Sequence, residues 1–279
     1  MTETTTYPDT VPVAGGRIRL HRQGKRGPVL VLVHYWGGSA ATWEAVVDRL
    51  PAGRETVRFD QRGWGASRSL PGPYDLDRLA DDLIDVVRGA GLERYVLVGH
   101  SMGGKVAQLA AARRPEGLVG LALLAPGPPQ PPAHVTAEYR EFLSHAYDSP
   151  HAVEQALDQV LTALPLAGSA RATTVRDSLA AEDPVRREWP LRGIAADITA
   201  SARRIEVPVL VLAGEHDKVE PADVLRGHLL PHLPHAALSH SAPSHAGLDV
   251  LPGCGHLLPL EAPAEVAARL EGFVAGLDM

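Results

Sequence analysis

The stretch Tyr95-Val96-Leu97-Val98-Gly99-His100-Ser101-Met102-Gly103-Gly104 limits the possible folds more than any other part of this chain. Four apolar residues in an unbroken run have the length of a strand buried on both faces. The run stops at glycine, and Met102 to Arg114 then continues as an Ala-rich helix up to Pro115. A strand passing into a helix through so short a turn belongs to a parallel sheet, whose strands are linked by helical crossovers.

The same alternation extends to both sides. Val11 to Arg22 reads as two short strands about Ala14-Gly15-Gly16, a hairpin signal. Pro28 to His34 is a continuous apolar strand, Thr42 to Leu50 has helical spacing, and Glu55 to Asp60 is the next strand. Leu79, Leu83, Val86 and Val87 mark a helix from Leu76 that is closed by Gly89 and Gly91, and Leu118 to Leu124 is a further strand. The Pro-rich run Ala125 to Pro132 continues neither element. From about Ala133 to Ala202 the pattern is helical, without a convincing strand. Val207 to Ala213 resumes the sheet, followed by a helix over Ala222 to Leu230, a strand at Leu248 to Leu251 and a helix over Ala264 to Val274. The expected architecture is an α/β core of residues 1–125 and 203–279, with a mainly parallel sheet covered by helices on both faces. A helical lid of residues 126–202 is spliced into it.

Composition narrows the function classes. The chain has 279 residues, 45% of them apolar, and 27 basic against 33 acidic side chains. No basic run exceeds two residues, so neither nucleic acid nor an anionic membrane is an expected partner. A single cysteine, Cys254, excludes an internal disulfide framework and a multi-cysteine zinc site. With no apolar run near the ~20 residues of a membrane span and a polar N-terminus, the expectation is a cytoplasmic protein.

Gly99 to Gly103 is G-x-S-x-G between strand and helix. In that context the turn lifts the serine oxygen above the sheet, and the next helix aims its N-terminal amides at it. Gly99 to Lys105 also reads G-x-x-x-x-G-K, but Val106 stands where a phosphate-binding loop needs Ser or Thr for Mg²⁺. Nucleotide binding is therefore not expected. A nucleophilic Ser101 requires a base and an orienting acid, and in this turn context they follow in the order acid, then histidine. Asp217 lies just past the Val207–Ala213 strand and His256 just past the last strand, so both fall on the edge that carries Ser101. Glu215 and Glu220 are neighbouring acids, but Asp217 combines loop-tip placement with a short side chain. The oxyanion hole draws on the amide of Met102 and on one from the loop His34-Tyr35-Trp36-Gly37-Gly38-Ser39.

Together, His34 to Gly38, Asp60 to Ser67, Gly99 to Gly104, Gly214 to Asp217 and Gly255-His256 resemble the α/β-hydrolase superfamily. The likeness is to its branch of small esterases, cofactor-free perhydrolases and carbon–carbon-bond hydrolases. That resemblance implies an α/β-hydrolase fold, a second oxyanion amide at Trp36, a small acyl substrate, and no metal or organic cofactor. A serine nucleophile argues against haloalkane dehalogenase and epoxide hydrolase chemistry. A ligand-binding protein on the same scaffold is the alternative outside enzymes. Two departures stand out. Tyr35 occupies a position where the family usually has glycine, and Ser239 to Ala246 looks inserted before the last strand.

Other residues carry weaker signals. Tyr35, His100 and Trp189 are candidate pocket residues, although His34 and His100 read first as loop-fixing. Asp60 and Arg62 are expected to pin their Gly-rich loop through an ion pair and backbone contacts. His228, His232, His235, His240 and His245 read as a solvated cluster and not a metal site, since H-E-x-x-H is absent and carboxylates are sparse. Cys254 reads as a small buried hydrophobe.

Overall fold

A computed structural model describes residues 9–234 and 247–277. Its eight strands are β1 (Thr10–Val13), β2 (Gly16–Gln23), β3 (Arg26–Val33), β4 (Arg54–Phe59), β5 (Tyr95–His100), β6 (Leu118–Leu124), β7 (Val209–Gly214) and β8 (Leu248–Leu251). They form one sheet in the order β1-β2-β4-β3-β5-β6-β7-β8. The β1–β2 and β2–β4 pairs are antiparallel, and every pair from β4 to β8 is parallel. This is the α/β-hydrolase architecture.

The continuous apolar runs bury both faces of the sheet. On β3, Val29, Val31 and Val33 enter one core layer while Leu30 and Leu32 enter the other. Helices α1 (Glu44–Val47), α2 (Leu76–Gly89) and α3 (Met102–Ala112) divide between the faces. The apolar sides of α2 and α3 join the first layer through Leu79, Leu83, Val86 and Val106, whereas Val46 and Val47 of α1 join the second. Between β6 and β7 lie α4 (Ala137–Ser144), α5 (Pro150–Ala156), α6 (Gly168–Leu179), α7 (Asp183–Glu188) and α8 (Thr199–Ala202), with no strand among them. Helices α9 (Ala222–His228), α10 (Leu258–Glu261) and α11 (Pro263–Leu277) complete the chain, and Val266, Leu270 and Val274 of α11 pack on the second layer. No helix among the described residues is long and apolar enough to cross a membrane.

Four details differ from the sequence expectations. The helix expected over Thr42–Leu50 is a 3-10 turn at Ala40–Trp43, capped by the Ser39 hydroxyl, followed by the single turn of α1. Pro51 disfavours helical geometry just before it. Helix α3 stops at Ala112, and Arg114 takes a left-handed φ of 52° ahead of Pro115. The ion pair within the Gly-rich loop is replaced by two separate anchors. The Asp60 carboxylate accepts the amides of Ala40 and Ala66, at 2.7 Å each. Arg62 turns away to the Asp82 carboxylate of α2, at 2.6 and 2.9 Å, and to the carbonyls of Pro71 and Ala14. Finally, α9 ends at His228, and His232 is buried in the next 3-10 turn, so this histidine is not solvated. His235, His240, His245 and the Ser239–Ala246 stretch lie outside the described residues.

Candidate active site

Strand β5 delivers Ser101 to the carboxyl edge of the sheet, and the chain reverses there into α3. Ser101 has φ 53° and ψ −119°, a conformation that a residue with a side chain adopts only where its surroundings enforce it. The glycines explain how. A Cβ on Gly103 would stand 2.4 Å from the His34 carbonyl oxygen, and one on Gly99 would stand 2.5 Å from that of Gly103. Both obstacles are backbone, so β3, β5 and α3 approach this closely only through residues lacking a Cβ. Ser101 is therefore held in place by neighbouring backbone as well as by its own turn.

The loops after β7 and β8 bring two more side chains to the same edge. The Ser101 hydroxyl lies 2.9 Å from His256 Nε2, and His256 Nδ1 lies 2.9 Å from Asp217 Oδ2. All three residues are buried. With Nδ1–H donating to the carboxylate, Nε2 is left to accept the serine proton. The other Asp217 oxygen accepts the amides of Val219 and Glu220 at 2.8 and 3.0 Å. Burial by itself would raise the Asp217 carboxyl, but His256 and these two amides outweigh it and hold the group below the usual carboxylate range. Glu215, the rival acid, is exposed and accepts the Gly253 amide.

The flanking histidines are held neutral. Burial foremost, with His256 nearby, pushes His100 down to about 3. His100 donates from Nε2 to the His256 carbonyl at 2.8 Å. It is fully buried and is not among the residues lining the cavity above Ser101, and its hydrogen bond supports the histidine loop. His34 is also lowered by burial. It donates from Nδ1 to the Tyr35 carbonyl and accepts the Gln61 amide at Nε2, which joins the loop after β3 to the loop after β4. Cys254 is buried, and its thiol is pushed up to about 11, chiefly by burial.

A cavity of about 530 Å³ opens over Ser101 and His256. Tyr35, Trp36 and Trp189 line it together with residues of α4 and α5, among them Tyr139 and Leu143. Most of its wall is apolar. Met102 follows Ser101 at the N-terminus of α3, and Trp36 faces the same cavity from the loop after β3. Among the described residues, no group of three or more His, Cys, Asp or Glu is placed to hold a metal ion.

Several residues important to this geometry have no sequence motif. The Tyr147 hydroxyl donates to the Trp36 carbonyl at 3.1 Å, Ser178 donates to the Gly37 carbonyl at 3.1 Å, and the Trp36 indole donates to the Arg186 carbonyl at 2.9 Å. The Tyr35 side chain is buried in the same contact zone, with Thr174 of α6 at its hydroxyl. The helices between β6 and β7 thus clamp the loop after β3. Glu220 is a further case, a buried acid lining the cavity and close in sequence to Asp217.

Comparison with known proteins identifies the family and the fold. The model of the Alpha/beta hydrolase family matches residues 30–269. The chain is 29% identical over 219 residues to a bifunctional esterase/perhydrolase of Acinetobacter calcoaceticus, covering 71% of this chain and 77% of that protein. It is 25% identical over 279 residues to a 2-(acetamidomethylene)succinate hydrolase of Mesorhizobium japonicum, covering 93% and 92%. An esterase structure from Exiguobacterium antarcticum superposes with a TM-score of 0.83 at 20% identity, over 95% of this chain and 98% of that one.

Proposed function

The chain belongs to the alpha/beta hydrolase family, and from that premise we propose that it is a serine hydrolase that cleaves a small carboxylic ester or related acyl substrate through an acyl-enzyme. The observation that carries this reading is the unbroken hydrogen-bonded line from Ser101 through His256 to Asp217, at 2.9 Å in both links.

In the proposed reaction Ser101 Oγ attacks the substrate carbonyl carbon as His256 Nε2 takes the hydroxyl proton. Asp217 keeps Nδ1 protonated, so that Nε2 is the free base, and stabilises the imidazolium that forms. The amides of Met102 and Trp36 receive the oxyanion, and the positive end of α3 favours the developing charge. His256 then protonates the leaving oxygen as the carbon–oxygen bond breaks. In the second half, His256 takes a proton from water, the hydroxide attacks the acyl carbon, and the proton returns to Ser101 as the acid departs. Segment 126–202 acts as a cap, since its residues form the outer wall of the cavity. The apolar wall suits an uncharged acyl group.

Perhydrolysis, in which hydrogen peroxide replaces water in deacylation, is a second reading favoured by the likeness to an esterase/perhydrolase. The deciding experiment is Ser101→Ala. Turnover of p-nitrophenyl acetate and labelling by a fluorophosphonate should both disappear, and unchanged labelling would overturn the assignment.

A further inference from the structure

Glu220 is only 4% exposed, yet it lines the cavity above Ser101 and His256. Its backbone amide donates to Asp217, but its carboxyl makes no hydrogen bond or ion pair among the described residues. The neighbouring groups spend their hydrogen bonds elsewhere. Asp217 is engaged by His256. Lys105, buried nearby on α3, donates to the Ile194 carbonyl at 3.2 Å. Lys218, at the cavity wall, donates to the Gln159 carbonyl at 2.8 Å. Burial first, and then the Asp217 carboxylate, favour the protonated form of Glu220 and outweigh the opposing pull of the Lys105 ammonium.

A buried polar group with no partner is costly to leave unmet, and in an otherwise apolar pocket it fixes orientation and specificity. A carboxyl kept neutral by its site serves as a hydrogen-bond donor. We propose that Glu220 is a specificity-determining residue that donates a hydrogen bond to an uncharged oxygen, hydroxyl or ketone, carried by the substrate's acyl group away from the scissile carbonyl. The preferred substrates are hydroxyacyl or oxoacyl esters over their deoxy counterparts. This rests on the serine-hydrolase reading above.

The test is a set of p-nitrophenyl esters bearing a hydroxyl or keto group at successive acyl carbons, each compared with the deoxy ester. Aminoacyl esters and half-esters of dicarboxylic acids complete the panel. The readout is the ratio of kcat/KM within each pair, which cancels losses common to both substrates. For at least one position the wild type should favour the oxygenated ester by about tenfold or more. Glu220→Gln, which retains a neutral donor, should keep most of that ratio, and Glu220→Leu should bring it near one. Fluorophosphonate labelling reports whether each variant is folded and reactive. Three results would overturn the proposal: no oxygen preference at any position, a preference that survives in Glu220→Leu, or aminoacyl esters favoured by wild type and lost in both variants. The last would indicate a carboxylate that binds ammonium groups. If the wild type is neither labelled nor active on any ester, the hydrolase reading itself fails.

Discussion

The Tyr147 hydroxyl donates to the carbonyl of Trp36 at 3.1 Å, and the two rings stack with centroids 4.0 Å apart. Tyr147 lies between α4 and α5, in the helices spliced between β6 and β7, whereas Trp36 lies in the loop after β3. The residue proposed to supply an oxyanion amide is thus aimed by a side chain 111 positions away. Tyr147→Phe keeps the stack and removes one hydrogen bond, a change of about 1 kcal/mol. With p-nitrophenyl acetate, kcat should fall several-fold while KM stays close to wild type. An equal loss in KM would place the effect on substrate binding.

Asp217 has one carboxylate oxygen on His256 and the other on two backbone amides. Asp217→Asn preserves the shape of that contact but lets His256 adopt the wrong tautomer. The expected outcome is a loss of about 10⁴-fold in kcat with little change in melting temperature. A loss of less than tenfold would point to another acid.

Arg62 and Asp82 form an ion pair with side chains 1% and 2% exposed. Asp82→Ala leaves the guanidinium buried without its counter-charge, although the Pro71 and Ala14 carbonyls still accept from it. Chemical denaturation should show a loss of about 3–5 kcal/mol. A much smaller loss would mean that the two carbonyls suffice.

Glu220 has a pH signature in stability as well. Burial, then Asp217, raise its carboxyl well above the ordinary range, so the folded chain keeps a proton that the unfolded chain releases near ~4.3. In that window the unfolded state binds fewer protons, and stability falls as pH rises. Glu220→Gln removes this titration. Its melting temperature relative to wild type should therefore increase as the pH is raised from about 5.

Lys105 gives the opposite slope. Burial pulls its ammonium down to about 8. The folded chain releases this proton before the unfolded chain does, so the burial penalty is full below about 8 and eases as pH rises towards the ordinary lysine value of ~10.4. Lys105→Met should compare best with wild type near pH 7 and less well near pH 9.5, as followed by thermal melts.

Legibility from sequence followed the range of the interactions. The strands β3, β5 and β6 are continuous apolar runs, and the turn around Ser101 is written in adjacent glycines. Their positions were readable because the responsible contacts lie within a few residues, or repeat with a fixed period. The 3-10 turn at Ala40–Trp43 was not readable, although Pro51 marked where helical geometry has to end. Nor was the partner of Arg62, because Asp60 stood closer in sequence than Asp82 and only packing on α2 determines which carboxylate is met.

By itself the sequence determined the strand–helix alternation, the interruption after β6, and which serine, acid and histidine stand at strand ends. Those features come from local sterics and hydrophobic period. Only the tertiary structure decided that His100 lies behind the histidine loop and not in the cavity, that Tyr147 and Ser178 clamp the loop after β3, and that Glu220 is buried without a partner. Burial and long-range hydrogen bonding are properties of surfaces brought together by folding, and no local pattern in the chain encodes which side chain will meet which.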